Sequence, residues 1–374
     1  MQIKKIKLKN FRQFETLEIE LHPKLTVLIG DNAQGKSTIL EAIHLLTDAT
    51  SPWTSLSEEL VNFHSEETYY RIEGIFHDSE NDEDIQVSVY SEDGRKEMKV
   101  NQKAKSQKNF TSLGTSNIFS PEQIDILMLS PSKRRDFLNS LASKVNPDYS
   151  EYLTKFRKVL RQRNAHLKKL SKKFYSTGEI PPIDNQLEFW TKELANFSAK
   201  LMAARTDIVQ TLNDYAESQE YKYNCSLKLN LFEDMTSAET LEKIHLKQLI
   251  ETIRKDIARG YTNIGAHRDD WDVFDKLNKV SSLKNVRKFG SRGEKRFAVG
   301  KLIFDTQELI YKLTGQYPIL LLDDISSELD NNKQDQLIQP QILEKQQSFI
   351  TAISKNGWFE KLPKDKKLIY TSDL

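Results

Sequence analysis

The sequence predicts an α/β fold whose core is assembled from N- and C-terminal segments, with a mainly helical subdomain inserted between them. Three observations carry this. Leu25, Thr26, Val27, Leu28 and Ile29 form a nearly continuous apolar run that stops at Gly30. Ile319, Leu320, Leu321 and Leu322 form a second such run, after Pro318, that stops at two acids. Runs of this kind belong to strands buried on both faces of a parallel sheet. Between them, from about residue 130, the composition turns to long charged helices.

The elements follow in order. Residues 6–9 and 17–21 alternate apolar and charged side chains around Phe11 and Arg12, so the chain opens as a hairpin of half-buried strands. After the first buried run, Ile39, Leu40, Ile43 and Leu46 recur at helical spacing and complete a strand, loop and helix. Residues 69–76 and 85–90 read as further strands joined by an acidic turn. Farther on, Leu153, Phe156, Leu160, Leu167, Leu170 and Phe174 follow steps of three and four, with Arg163 as the polar intruder. A turn containing Gly178, Pro181 and Pro182 reverses the chain, which returns through Leu187, Trp190, Leu194, Phe197, Leu201, Ala204 and Ile208. The result is an antiparallel helical hairpin packed on its own seam. Residues 221–232 alternate again, as a strand does. The predicted division is a head made of 1–118 plus 262–374 and a helical lobe of 119–261; no fixed-period repeat is present.

Composition narrows the partners. Among 374 residues, 55 Lys and Arg nearly cancel 54 Asp and Glu, so only local patches can attract a polyanion. The single cysteine, Cys225, excludes internal disulfides and a multi-cysteine zinc site, suits a reducing compartment, and reads as small core filler. No run of eighteen apolar residues occurs and the N-terminus enters structure directly, so the expectation is a cytoplasmic protein with no membrane span.

Gly30, Asp31, Asn32, Ala33, Gln34, Gly35, Lys36 and Ser37 match the phosphate-binding pattern G-x-x-x-x-G-K-[ST] at every specified position. The glycines let the backbone curl so that N–H groups point at phosphate oxygens, and the helix that starts at Lys36 adds its positive end. Lys36 is expected to reach the β and γ phosphates of ATP and the Ser37 hydroxyl to ligate Mg2+, with Thr38 adjoining. Asp323 and Asp324 end the second buried run as the acids of a Walker B strand do. Asp323 would serve the Mg2+ shell and Asp324 the attacking water.

Ser291, Arg292, Gly293 and Glu294 open a helix through Phe297, Val299, Leu302 and Ile303. A serine hydroxyl and bare N–H groups at a helix start make a second anion site, although alone they would be an ordinary N-cap. Ser327, Glu328 and Asp330 follow the Walker B strand. This order resembles the layout of ATP-binding-cassette ATPases, whose signature helix caps the nucleotide held by a second subunit. The likeness implies Ser291, Arg292, Gly293 and Glu294 acting in trans and Ser327, Glu328 and Asp330 facing the dimer partner.

Further segments narrow the family. Residues 8–12 (LKNFR), 40–43 (LEAI), 119–123 (FSPEQ), 130–138 (SPSKRRDFL) and 265–270 (GAHRDD) resemble the RecF family of DNA repair ATPases, in an order that spans essentially the whole chain. The resemblance implies a head like those of SMC and Rad50 proteins with stunted arms, in which Arg12 joins the ATP site. It also implies an ATP-dependent homodimer on single-stranded, gapped or junction DNA, recombinase loading together with RecR and RecO, and slow hydrolysis linked to DNA. The chain departs from the pattern at Ala266 for proline, Gln123 for aspartate, and a segment 51–54 that lacks an arginine. No histidine occupies the switch position at 348–351. Asp324 stands where most cassette ATPases have glutamate, which agrees with RecF and predicts weak turnover.

Two regions are open to two readings. Residues 133–173 are rich in Lys and Arg, so Arg134, Arg135, Arg161 and Arg163 are candidates for DNA phosphate, or else belong to the solvated face of the hairpin. Arg268 and Asp269 form either an ion pair that ties the returning chain or part of an interface. No aromatic pair is spaced as a base-stacking platform. Rival classes are a transporter ATPase, which calls for a switch histidine, a Rad50-like tether, which calls for a two-cysteine hook, and a binding module without turnover.

Overall fold

In a computed structural model, the described residues are 1–111, 113–218, 223–228, 237–275, 284–324, 334, 336–338, 343–353 and 362–374, with Cys225 alone described to its side chain within 223–228. Contacts divide the chain into two compact units, 1–125 plus 292–374 and 126–291. Unit 1 begins with β1 (Gln2–Phe11), β2 (Phe14–Glu20), β3 (Leu25–Ile29) and α1 (Lys36–Asp48). It continues with β4 (Tyr69–Asp78), β5 (Glu83–Glu92), β6 (Arg95–Val100), β7 (Lys103–Ala104), α2 (Gln107–Thr111), β8 (Ser116–Phe119) and α3 (Pro121–Ile124). Unit 2 holds α4 (Pro131–Val145), α5 (Tyr149–Thr177), α6 (Asn185–Glu217), β9 (Tyr223–Lys228), α7 (Ala238–Glu251) and α8 (Ile253–Arg259). It closes with β10 (Asp270–Asp275), β11 (Lys284–Asn285) and α9 (Val286–Phe289). The chain re-enters unit 1 as α10 (Arg292–Thr314), β12 (Ile319–Leu322), β13 (Ser348–Ala352) and β14 (Lys367–Tyr370).

In unit 1, β14-β3-β13-β12-β8 form a parallel sheet in which β3, β12 and β13 are buried at every residue. This is why β3 and β12 read as nearly continuous apolar runs: with both faces covered, few of their side chains can be polar. The second sheet, β2-β1-β4-β5-β6-β7, is antiparallel throughout and alternates buried with exposed residues, as one covered face requires. Ile39, Leu40, Ile43 and Leu46 of α1 are buried in the core that both sheets share. The strands β6, β7 and β8 carried no sequence signal, because β6 is largely charged and the other two have four residues or fewer.

In unit 2 the hairpin of α5 and α6 forms over the expected residues, but its seam is not a private one. The buried face of α5 runs Phe156, Val159, Arg163, Leu167 and Ser171, and Leu167 and Leu187 share a cluster with Ile253 and Ile257 of α8. Arg163 is no intruder on this seam. It is wholly buried, its Nη1 2.8 Å from Asp256 Oδ2 and 2.7 Å from Thr262 Oγ1, and its Nε donates to Thr191 Oγ1 at 3.1 Å. The unit boundaries at 125/126 and 291/292 both lie C-terminal to the 118/119 and 261/262 drawn from composition. The strand β10 pairs with β9, and Arg205 of α6 binds Asp269, which hold residues 262–275 to the helical unit.

Candidate functional site

The phosphate-binding loop lies between β3 and α1, and each brace that shapes it is identifiable. Gly35 has a φ of 87°, and a Cβ there would fall 2.5 Å from the Phe14 ring, so conformation and space both require glycine. Gly30 is glycine for another reason than the backbone curl expected of it: a Cβ would lie 1.8 Å from Thr371 Oγ1. That hydroxyl is 2.7 Å from Gln34 Oε1, which also accepts the Asp31 N–H at 2.8 Å. Gln13 braces the other side, its Nε2 donating to Ala33 O at 3.3 Å. Asp31, Asn32 and Ala33 form the exposed crest, and Ala33 takes a left-handed φ of 65°.

Lys36 is buried, and its ammonium donates to Gly30 O at 2.7 Å and Asp31 O at 2.6 Å. Burial pulls its pKa below the usual lysine value, against the raising pull of Asp324, Asp323 and Asp31. A lysine folded onto its own loop is poised for a larger negative charge than those carbonyl dipoles. The structure brings Ser37 and Asp323 together across 286 residues of sequence, Oγ to Oδ1 at 3.0 Å. Asp323 is buried; desolvation raises its pKa, while hydrogen bonds from Ser37 and Thr351 lower it.

Thr351, at the position where no switch histidine occurs, is the residue that sequence reasoning missed. Its hydroxyl donates to Asp323 Oδ1 at 2.9 Å and accepts the Asp324 N–H at 2.8 Å, tying both acids to β13. Asp324 takes a φ of 46°, a left-handed conformation that aspartate tolerates better than most side chains. A hydroxyl and a carboxylate oxygen fit Mg2+, which takes few protein ligands and completes its shell with phosphate and water. Among the described residues no cluster of three or more His, Cys, Asp or Glu gathers as a metal site of its own. The donor set therefore suits a metal that arrives with a nucleotide.

Beside the loop, Arg12, Ser37, Thr38, Trp53 and Phe63 line a cleft of about 800 Å³. Arg12 makes a two-pronged bond to Glu41, Nε to Oε2 and Nη2 to Oε1, both 2.9 Å, and Nη1 donates to Glu59 O at 2.9 Å. Glu41 is itself buried, and its contact raises the Arg12 pKa further, so the guanidinium is a fixed cation on the wall beside Thr38. The aromatic walls, Trp53 and Phe63, had no sequence signal because they lie in irregular segments.

Ser291 and Arg292 are exposed at the start of the 23-residue helix α10, and Glu294 lies in its first turn. Arg292 and Arg296 both reach Asp125, at 3.7 and 3.0 Å. Ser327, Glu328 and Asp330 lie outside the described residues.

The DNA candidates separate by burial. Arg134 is 3 % exposed and holds Asp270 through two bonds of 2.7 Å, and Arg163 is enclosed with Asp256. Both are corrected to structural cations, because a guanidinium neutralised inside the protein has no charge to offer a phosphate. Arg135 is half-buried and donates to Asp269 O at 3.0 Å, whereas Arg161 is exposed on α5. The Arg268–Asp269 ion pair does not form: Asp269 pairs with Arg205 at 2.5 Å, and Arg268 lies over the Tyr261 ring at 5.8 Å.

A P-loop flanked by a Walker B acid pair, on a parallel sheet built from both ends of the chain, defines an ATPase head of the ABC and SMC type. The family described as RecF/RecN/SMC N terminal domain matches residues 2–371. The chain is 33 % identical over 371 residues to the DNA replication and repair protein RecF of Ruminiclostridium cellulolyticum, covering 95 % of this chain and 93 % of that one. It is 33 % identical over 386 residues to the protein of the same name from Bacillus cereus strain G9842, covering 100 % and 97 %. A solved structure of the recombination mediator protein RecF-ATPrS in the RecFOR pathway superposes with a TM-score of 0.83 at 28 % identity, over 99 % of this chain and 96 % of that one. An Smc head domain from Pyrococcus furiosus, at 16 % identity and a TM-score of 0.50 over 94 % and 90 %, shares the fold alone. The chain belongs to the RecF family.

Proposed function

We propose that the chain is an ATP-dependent DNA-binding protein of replication and recombinational repair, acting in the pathway for which its relatives are named. The observation that carries this is the joined set of Lys36, Ser37, Asp323 and Thr351, assembled from both ends of the sequence within a RecF-family head. Lys36 and the loop N–H groups receive the β and γ phosphates of ATP, and Arg12 and Thr38 flank the cleft that adjoins them. Ser37 and Asp323 would hold Mg2+, which supplies charge neutralisation at the phosphates. Asp324, with its backbone fixed by Thr351, orients the attacking water; as the shorter carboxylate it gives slow turnover.

A serine and helix start exposed at 291–292 suit closure over the nucleotide of a second copy, so ATP promotes a homodimer. In this reading the dimer clamps single-stranded gaps and single-strand to duplex junctions, supports recombinase loading with RecR and RecO, and is released by hydrolysis. Among the described residues no helix is long and apolar enough to cross a membrane.

The test is steady-state ATP hydrolysis with and without gapped DNA. The reading predicts slow turnover that DNA stimulates. Turnover indifferent to DNA would remove the linkage, and no turnover at all would leave a nucleotide-binding module.

A further inference from the structure

We propose that the far end of the helical hairpin carries a groove for single-stranded DNA. The proposal rests on the DNA-binding reading above and gives it a place. Lys168, Lys172 and Tyr175 are spaced at i, i+4 and i+7 on α5 and line one wall; Arg259, Gly260 and Tyr261, at the end of α8, line the other. The groove measures about 710 Å³, in the range of one or two nucleotides. Gly260 ends α8 with a φ of 74°, and a Cβ there would sit 3.3 Å from Ser171 Cβ and 3.6 Å from Lys168 Cα. The glycine thus lets the two helices approach closely at the floor.

The lining has one electrostatic sign. Among the described residues no carboxylate borders the groove, and Lys168, Lys172 and Arg259 form no ion pair, although Arg259 donates to Asn263 Oδ1 at 2.6 Å. Two tyrosines stand in this basic field, Tyr175 with 75 % and Tyr261 with 41 % of its surface exposed. Folding places on one groove two rings that are 86 positions apart in sequence (261 minus 175), so no spacing rule could have found them. Cations that track phosphates and rings on which bases stack are the two components of single-strand binding. A duplex would use only the first, because its bases are already stacked on one another. An acidic protein segment would likewise leave the rings without a role.

The experiment uses the full chain with ATP and a fluorescein-labelled oligothymidine of about twenty nucleotides, beside an abasic strand of the same length, read by anisotropy. Tyr175→Ala should weaken oligothymidine binding roughly five- to a hundredfold, the range that single base–aromatic contacts carry, and leave abasic binding unchanged. Tyr175→Phe should retain wild-type binding. Lys168→Glu with Lys172→Glu should weaken both strands and reduce the salt dependence, while ATP binding by the head stays the same. Unchanged oligothymidine binding by Tyr175→Ala, or an equal loss with the abasic strand, would overturn the groove. Competition by a polyglutamate peptide that Tyr175→Ala does not alter would assign it to acidic protein and also overturn it. If the wild-type chain binds no DNA at all in ATP, the DNA-binding reading falls with it; normal binding by the variants removes the groove alone.

Discussion

Lys36 holds its ammonium against two carbonyl oxygens of its own loop, and Ser37 holds its hydroxyl against Asp323. These bonds hold the ammonium and the hydroxyl in place, so in the proposed reading the site for phosphate and metal is preformed rather than assembled on binding. Lys36→Met should therefore remove ATP binding from the measurable range, whereas Asp324→Asn should leave affinity near wild type and slow hydrolysis by roughly 10²-fold or more, as loss of a positioned base does. Equilibrium binding of a fluorescent ATP analogue and steady-state turnover separate the two; equal losses in both measurements for Asp324→Asn would contradict the division of roles. Arg163 shows the opposite use of a cation. Removing it leaves Asp256 buried without its partner, so Arg163→Ala should cost about 3–5 kcal/mol in urea unfolding, and a DNA-binding loss without a stability loss would return it to the list of DNA contacts.

At the scale of elements, the helical unit is built on buried polar pairs where the hairpin sequence suggested only an apolar seam. Arg163 with Asp256, Arg205 with Asp269 and Arg134 with Asp270 fix α5, α6 and α4 to segments far along the chain. Near them, His245 and His267 are enclosed, and both ring nitrogens of His245 lack a hydrogen-bond partner among the described residues. Desolvation, with the charges of His267 and Arg163 adding to it, lowers the His245 pKa to about 3. Desolvation likewise lowers His267 to about 4, against the pull of a bond to the Thr262 carbonyl. Both folded values lie below the unfolded value near 6.5, so the unfolded chain binds these protons first. Their contribution is fully present above pH 6.5 and is lost as pH falls toward 4 and then 3. Between pH 7.5 and 5.5 each ring should cost roughly 1 kcal/mol of stability, and His245→Leu should flatten the slope in chemical unfolding followed at both pH values.

At the scale of the whole molecule, the proposed reaction needs a second copy to close over the nucleotide that one copy would hold. Ser291 and the start of α10 are exposed, where a second copy can use them. Ser291→Arg should keep the monomer's nucleotide affinity and prevent ATP-dependent dimers in sedimentation velocity, because a long cation there blocks the approach of a second head. A normal ATP dimer from this variant would remove the composite site. DNA-linked turnover should fall with the dimer, since each copy then lacks its cap.

The loop 30–37, the acid pair Asp323 and Asp324, and the buried strands β3 and β12 were legible in the sequence. Each is local: a short run whose residue types are set by its own backbone geometry and by burial on both faces. So was the helical hairpin, whose period of three and four is local too. What the tertiary structure decided are pairings between distant residues. It set Thr351 between the two acids, Thr371 against Gly30, Asp256 on Arg163, and Tyr175 and Tyr261 on one groove. Sequence pattern marks where a side chain is buried or exposed, but whether a buried arginine finds a carboxylate depends on which strand or helix the fold places opposite it.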